Sequence, residues 1–496
     1  MEKITNSLEK NLKGFCPFYF LTTGERLTRL QGLFPMIDKL YQTYTQQYHV
    51  PGYTFGLMLD GQLIHNGSGG YLDIHRKIPV TTKSLFRIAS MTKSFTATAV
   101  LKLRDQGKLG LDDPVINYIP NLNYYPPLID NSLVTIRDLL IHHAGFPKDD
   151  SWADRHLDLS KQALENLIRQ GFSWAHLPGT TFEYSNLGYV LLGMIIEGVT
   201  GQRYQKFIEE MIWQPLSMQE VAWEVSSINN DNLARGYRWQ VNHWQEEPLL
   251  QDGCFAAMGG MLCSLESFSR YVAFHQQTNS FTQNILKPSS LYEMQRAWCI
   301  HQLDSSYRFL DGKQTTIMRG YGYGLRYLKD SEDKVYIGHA GGLPGFGSNW
   351  FIMPDYGLGL ILLTNVTYAP TTEINLQILN TLINEAHLTK RQLSISPVLD
   401  AKKKALITLL PNWQDAKASD IFADNFFLDF PIEDLKKQTQ ALFEEAGSIL
   451  YYSDVVAESQ LSGFFIAHAK RAKIKISFYL TPQNPALIQD CKFTLV

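Results

Sequence analysis

Ser90 and Lys93, in the run Ser90-Met91-Thr92-Lys93, are spaced for nucleophilic chemistry. Three apart at the start of a helix, the two side chains share one face and can touch. A serine hydroxyl attacks a carbonyl poorly until a neighbouring base takes its proton, and a lysine can be that base once burial lowers its pKa. The helix N-terminus would also favour negative charge developing on a substrate oxygen. Spacing alone does not discriminate, because Ser7-Leu8-Glu9-Lys10 and Ser331-Glu332-Asp333-Lys334 repeat it in stretches that read as solvated polar surface. Ser90 differs in its setting: Phe86-Arg87-Ile88-Ala89 before it is apolar apart from Arg87, and an amphipathic helix follows.

Two later segments offer partners. Tyr184 and Asn186 stand two apart in Pro178-Gly179-Thr180-Thr181-Phe182-Glu183-Tyr184-Ser185-Asn186, just ahead of a glycine-bearing helix. A loop phenol can exchange protons, and a side-chain amide can hold a lysine or a carbonyl. The plainer alternative is an Asn186 helix cap beside a core tyrosine. His339 lies in Gly338-His339-Ala340-Gly341-Gly342-Leu343-Pro344-Gly345-Phe346-Gly347, where glycine density allows close backbone approach to a ligand. His143-Ala144-Gly145 repeats the tripeptide elsewhere, so His339 could equally cap a turn at a strand end.

The elements that must position these residues follow from patterning. Residues 53–59 and 62–66 flank Asp60-Gly61, which favours a two-residue type I′ hairpin. Residues 324–328, 334–338, 350–353 and 358–364 predict strands of an antiparallel sheet that this hairpin joins. Residues 91–106 and 187–199 have helical apolar spacing, with Gly107 placed for a left-handed C-cap. Gly193, inside the second helix, predicts a close neighbour. After Gln392 the composition turns polar and Lys-rich, and about a hundred residues remain; Pro431 opens a helix through residue 446, and residues 473–478 alternate as a half-exposed strand. We expect an N-terminal extension over residues 1–34, a body over 35–392 and a small α+β domain over 400–496.

Composition narrows the partners. Of 496 residues, 45 are Lys or Arg and 48 Asp or Glu, and the net charge of -3 gives no electrostatic case for nucleic acid or an anionic membrane. The aromatic share of 12% suits an aromatic-lined cleft or simply a core. The five cysteines, Cys16 among them, are scattered without C-x-x-C spacing, which indicates neither a disulfide framework nor a zinc site. No cofactor or metal is expected. The first residues mix Lys and Glu around a short apolar stretch at 15–21 with no small-residue cleavage site, which reads as cytoplasmic. The longest apolar helix candidate, residues 187–196, falls short of the ~20 residues that cross a bilayer.

In this order the three segments resemble the penicillin-recognising serine hydrolases, the superfamily of class C β-lactamases, D-aminopeptidases, D,D-carboxypeptidases and related esterases. Its S-x-x-K motif matches Ser90 and Lys93, its Y-x-N motif Tyr184 and Asn186, and its K-T-G or H-x-G motif His339 and Gly341. Supporting matches run through residues 107–115, 135–145 and 257–261, and the resemblance covers about residues 35 to 390. It implies an α/β (α+β) fold, an antiparallel sheet flanked by helices with a mainly helical region, β-lactamase/transpeptidase-like. It further implies that Ser90 forms an acyl-enzyme, that Lys93 and Tyr184 share the proton transfers, and that Asn186 positions Lys93 and substrate. His339 and Gly341 would help bind substrate, and the N–H groups of Ser90 and Gly342 would form the oxyanion hole. Which of Lys93 and Tyr184 is the base stays open. The family's lysine, which binds substrate carboxylates, is replaced here by His339, mostly uncharged at neutral pH. The expected substrate is therefore a small-molecule ester, amide or peptide, with esterase or D-aminopeptidase chemistry favoured over β-lactamase or D,D-carboxypeptidase activity. A catalytically silent scaffold of the same fold is the alternative from another class. The last domain could cover the cleft, mediate homo-oligomerisation or be a packed appendage.

Overall fold

A computed structural model describes residues 23–122, 133–276 and 285–496. Ser7-Leu8-Glu9-Lys10, Cys16, the apolar stretch at 15–21 and most of the expected extension lie outside the described residues. Two compact units divide the chain: Thr23–Thr389, and a second whose described part is Lys390–Val496.

In the first unit nine strands make one sheet: β1 (Gly52–Leu59), β2 (Gln62–Asp73), β3 (Ile78–Pro79), β4 (Cys299–Arg308), β5 (Gln314–Tyr321), β6 (Arg326–Asp330), β7 (Val335–Leu343), β8 (Phe346–Met353) and β9 (Leu358–Thr364). Their order is β3-β2-β1-β9-β8-β7-β6-β5-β4, and every pairing is antiparallel. The first hairpin turns at Asp60 and Gly61, with φ of 49° and 79°, and joins the last strand in the register Gly56↔Ile361. β4 and β5 were not legible as strands, because β4 (CIHQLDSSYR) is an exposed edge without alternation.

Both faces of the central strands are buried, so period-2 alternation sorts apolar residues between two cores rather than between core and water. Phe55, Leu57, Phe351, Met353, Leu358, Leu360 and Leu362 pack with helices α1 (Phe34–Gln47) and α5 (Thr371–Glu385). Met58, Trp350, Ile352, Ile361 and Leu363 face the core shared with helices α2 (Thr92–Asp105), α3 (Asn186–Thr200) and α4 (Leu265–His275). Helix α2 is buried nearly all round, as a central core helix must be; it ends at Gln106, with Gly107 at φ 70°. A Cβ at Gly193 in α3 would lie 2.7 Å from the Ala257 Cβ, which is the close neighbour that glycine predicts.

The second unit packs helices Pro397–Leu409 and Ile432–Ala446 with an antiparallel sheet that includes Ser462–Ala469, Lys473–Leu480 and Ile488–Leu495. Its core gathers Trp413, Phe426, Phe465, Ile474, Ile476 and Phe478. The last three are alternate residues of one strand whose other positions stay more exposed, which is the half-exposed pattern of the sequence. No described helix is long and apolar enough to cross a membrane.

Candidate active site

The chain enters α2 through a 3-10 turn, Ala89–Met91, in which Ala89 holds a φ of 51°. A non-glycine residue in that region is uncommon and costs energy, and here it fixes the residue just before Ser90. Strand β7 supports this turn from the sheet. A methyl on Gly341 would overlap the Ile88 carbonyl oxygen and Ser348 Oγ, and Ser348 Oγ itself donates to Ile88 O at 2.9 Å. Gly341 is thus required by close approach, and the glycine-dense turn brings β7 against the serine.

Lys93, one turn on, is fully buried. Its Nζ lies 2.9 Å from Ser90 Oγ, 2.6 Å from Asn186 Oδ1 and 2.8 Å from the Met258 carbonyl oxygen. Asn186 Oδ1 and Met258 O can only accept, so they take two N–H bonds and leave the third position of the nitrogen aimed at Ser90. Burial brings the ammonium pKa down to about 8, against the pull of Asp150, Asp154 and Asp149, while Arg326 helps to lower it. The fully buried Arg87 donates to the carbonyls of Gly260 and Leu250, which accounts for the one charge in the apolar run before Ser90.

Asn186 is the first residue of α3, and its own cap is remote. Asp149 accepts the backbone N–H groups of Asn186 at 2.7 Å and Leu187 at 2.8 Å, and Asp150 accepts from Asn186 Nδ2 at 3.1 Å. Tyr184 lines the same cleft as Ser90, and its ring lies 5.0 Å from Lys93 Nζ. Desolvation first, then Tyr321 and Asp150, push its phenol well above the ordinary value, so it is a neutral hydroxyl that can donate.

His339 is fully buried behind the cleft wall rather than lining it. Its Nδ1 donates to Ala340 O at 2.5 Å, which leaves Nε2 to accept the Tyr321 hydroxyl at 2.8 Å. Burial, with Arg326 and Lys93 nearby, drives its pKa well below the usual histidine range, so the ring is neutral, and its hydrogen bond to a cleft-lining side chain is the one to Tyr321. Ser331 and Lys334, the competing match, are not partners: Ser331 bonds Thr315, and Lys334 is buried on Glu332 and Asn380 rather than solvated.

The cleft over Ser90 encloses about 700 Å³ and is lined by Tyr184, Tyr321, Gly341 and Gly342 among others. Patterning did not single out Asp150, Asp154, Arg319, Arg326 or Tyr368, which also line it. The doublet Asp149-Asp150 and the run Tyr321-Gly322-Tyr323-Gly324 before Arg326 were the available signals. Phe182, Tyr184, Tyr321 and Tyr368 give the cleft an aromatic wall, although most buried aromatics belong to the cores. Among the described residues no group of His, Cys, Asp and Glu is placed to hold a metal ion, and the four described cysteines are free.

The family model described as Beta-lactamase matches residues 37–383. The chain belongs to the Beta-lactamase family. Beta-lactamase family members are generally serine hydrolases. Penicillin-binding protein 4* of Bacillus subtilis is 30% identical over 349 residues, 66% of this chain and 71% of that protein. Protein flp of Staphylococcus aureus is 28% identical over 356 residues, 69% of this chain and 66% of its own length. The fold is similar to that of the octameric penicillin-binding protein homologue from Pyrococcus abyssi, with a TM-score of 0.60 and 20% identity over 90% of this chain and 91% of the other. It is also similar to that of a D-stereospecific amidohydrolase from Streptomyces, with a TM-score of 0.55 and 23% identity over 68% of this chain and 97% of the other. The Beta-lactamase match lies within the unit that holds Ser90, Lys93, Tyr184, Asn186 and His339.

Proposed function

We propose that the protein cleaves an ester or amide through an acyl-enzyme on Ser90, with esterase or D-aminopeptidase-like specificity. The observation that carries this is the buried Lys93 nitrogen, 2.9 Å from Ser90 Oγ with its other contacts committed to Asn186 and Met258. Neutral Lys93 takes the Ser90 proton as Oγ attacks the carbonyl. The N–H groups of Ser90 and Gly342 receive the oxyanion, a contribution of ~3 to 4 kcal/mol per donor. Tyr184 gives its proton to the departing oxygen or nitrogen as that bond breaks and regains one from Lys93. Water then repeats the sequence on the acyl-enzyme and frees Ser90. Asn186 and His339 act here as positioning residues, the first through Lys93 and the second through Tyr321.

The neutral His339 supplies no charge for a substrate carboxylate, which favours esters and aminoacyl amides. One observation favours a second reading, β-lactamase or D,D-carboxypeptidase: Arg326 lines the cleft over the Tyr184 ring at 5.9 Å and forms no ion pair among the described residues. A fluorophosphonate probe and three substrates separate the readings. We expect a covalent adduct that Ser90→Ala abolishes, and faster turnover of p-nitrophenyl esters and D-alanyl anilides than of a chromogenic cephalosporin. Absence of a Ser90-dependent adduct would leave only the silent scaffold, and efficient cephalosporin hydrolysis would move the assignment to Arg326-directed carboxylate recognition.

A further inference from the structure

Glu183 and Glu373 line the cleft as well, but the three acids whose charges act on Lys93 are Asp150, Asp154 and Asp149, and their hydrogen bonds distinguish them. Asp149 spends both oxygens on the start of α3 and on Ser185. Asp150 is taken by Asn186 Nδ2 and by Lys148, 3.7 Å away. Asp154 is different: only 3% of it is exposed, yet it lines the cleft. Its Oδ2 accepts the Tyr368 hydroxyl at 2.9 Å, and among the described residues this is the carboxylate's one hydrogen bond and no cation forms an ion pair with it. Arg155, its neighbour in sequence, turns to Glu247 instead. A buried carboxylate with one free oxygen facing a cavity carries a large desolvation cost that a cation entering the cavity would relieve.

Its position says which part of the substrate would bring that cation. Tyr368 packs on Gly342, since a Cβ there would lie 2.8 Å from the Tyr368 ring, and Gly342 is the proposed oxyanion donor. Tyr184, the proposed donor to the leaving group, stands instead under Arg326. The Tyr368 wall is therefore left to the acyl group. We propose that Asp154 receives a free ammonium group on the acyl portion of the substrate, so that the cleft selects aminoacyl esters and amides, or peptides with an unblocked amino terminus, over their N-acylated forms. This rests on the acyl-enzyme reading above. In the empty cleft, burial raises the Asp154 carboxyl to about 7; an adjacent ammonium would hold it ionised.

The test compares both enantiomers of alanine p-nitroanilide with their N-acetyl counterparts on the full chain at neutral pH. Wild-type kcat/KM should favour a free amine by at least about tenfold, the effect of one hydrogen bond between charged groups. Asp154→Asn keeps an acceptor for Tyr368 and removes the charge, and should bring the ratio close to one, chiefly through KM. Inhibition of wild-type p-nitrophenyl acetate turnover by alaninamide, and not by N-acetylalaninamide, reads the same contact without a variant. A wild-type ratio near one, equal inhibition by both amides, or a ratio that survives in Asp154→Asn overturns the assignment of Asp154 while p-nitrophenyl acetate turnover still stands for the hydrolase. Loss of every Ser90-dependent turnover would instead refute the acyl-enzyme reading and this proposal with it.

Discussion

Raising the pH from 6 to 9 should speed acylation of Ser90 along a curve that identifies the base. With the Lys93 pKa brought down to about 8 by burial, the neutral amine is ~1% of the population at pH 6, ~10% at pH 7 and ~90% at pH 9. The sign follows from the role: a base works only when unprotonated, so the rate constant rises about tenfold per pH unit below 8 and levels above it. Acylation by p-nitrophenyl acetate, followed as the burst of p-nitrophenol under stopped flow and corrected for spontaneous hydrolysis, gives this curve directly. Asp150 is the largest of the charges that raise the Lys93 pKa, so Asp150→Asn should move the inflection to lower pH. Lys93→Ala should remove the inflection and cut the rate by ~10² to 10⁴ with an unchanged circular dichroism spectrum. Tyr184 predicts a different curve. Its phenol is held well above the ordinary value, so a phenolate base would give a rate still climbing at pH 10. A curve of that shape, a flat profile, or a wild-type acylation rate in Lys93→Ala would refute Lys93 as the base.

Two structural substitutions test the scaffold around it. Gly341→Ala places a methyl against the Ile88 carbonyl and Ser348 Oγ, so β7 must retreat from the serine turn. A displacement of that kind should lower kcat/KM by ~10² and stability by ~1 to 3 kcal/mol; values within twofold of wild type would show that the approach is not constrained. Asp149→Ala uncaps α3, which loses acceptors for the N–H groups of Asn186 and Leu187. Thermal unfolding should register a loss of ~1 to 2 kcal/mol, and kcat should fall as Asn186 loosens its hold on Lys93.

What could be read in the sequence were the interactions that are local or that leave one residue type no alternative. Ser90 and Lys93 are a turn apart on one helix, so their contact follows from helical geometry. Gly107, Gly193 and Asp60-Gly61 announce a cap, a close neighbour and a hairpin because glycine is what those backbone positions need. For His339 the sequence marks the strand end but not the face its ring takes, since a strand alternates faces and composition does not say which face is the cleft. Arg326 and Asp154 were invisible for a different reason. Each is an ordinary charged residue in its own segment, and each matters only because a nine-stranded sheet and the loops around α3 carry distant stretches of chain to one nucleophile. A surface arginine and aspartate would pair with water or with a neighbour. Among the described residues Arg326 forms no ion pair, and Asp154 has a free oxygen and no paired cation, in the same cleft. An uncompensated carboxylate is costly to bury, and on the proposal above the ammonium of the substrate is what offsets that cost at Asp154.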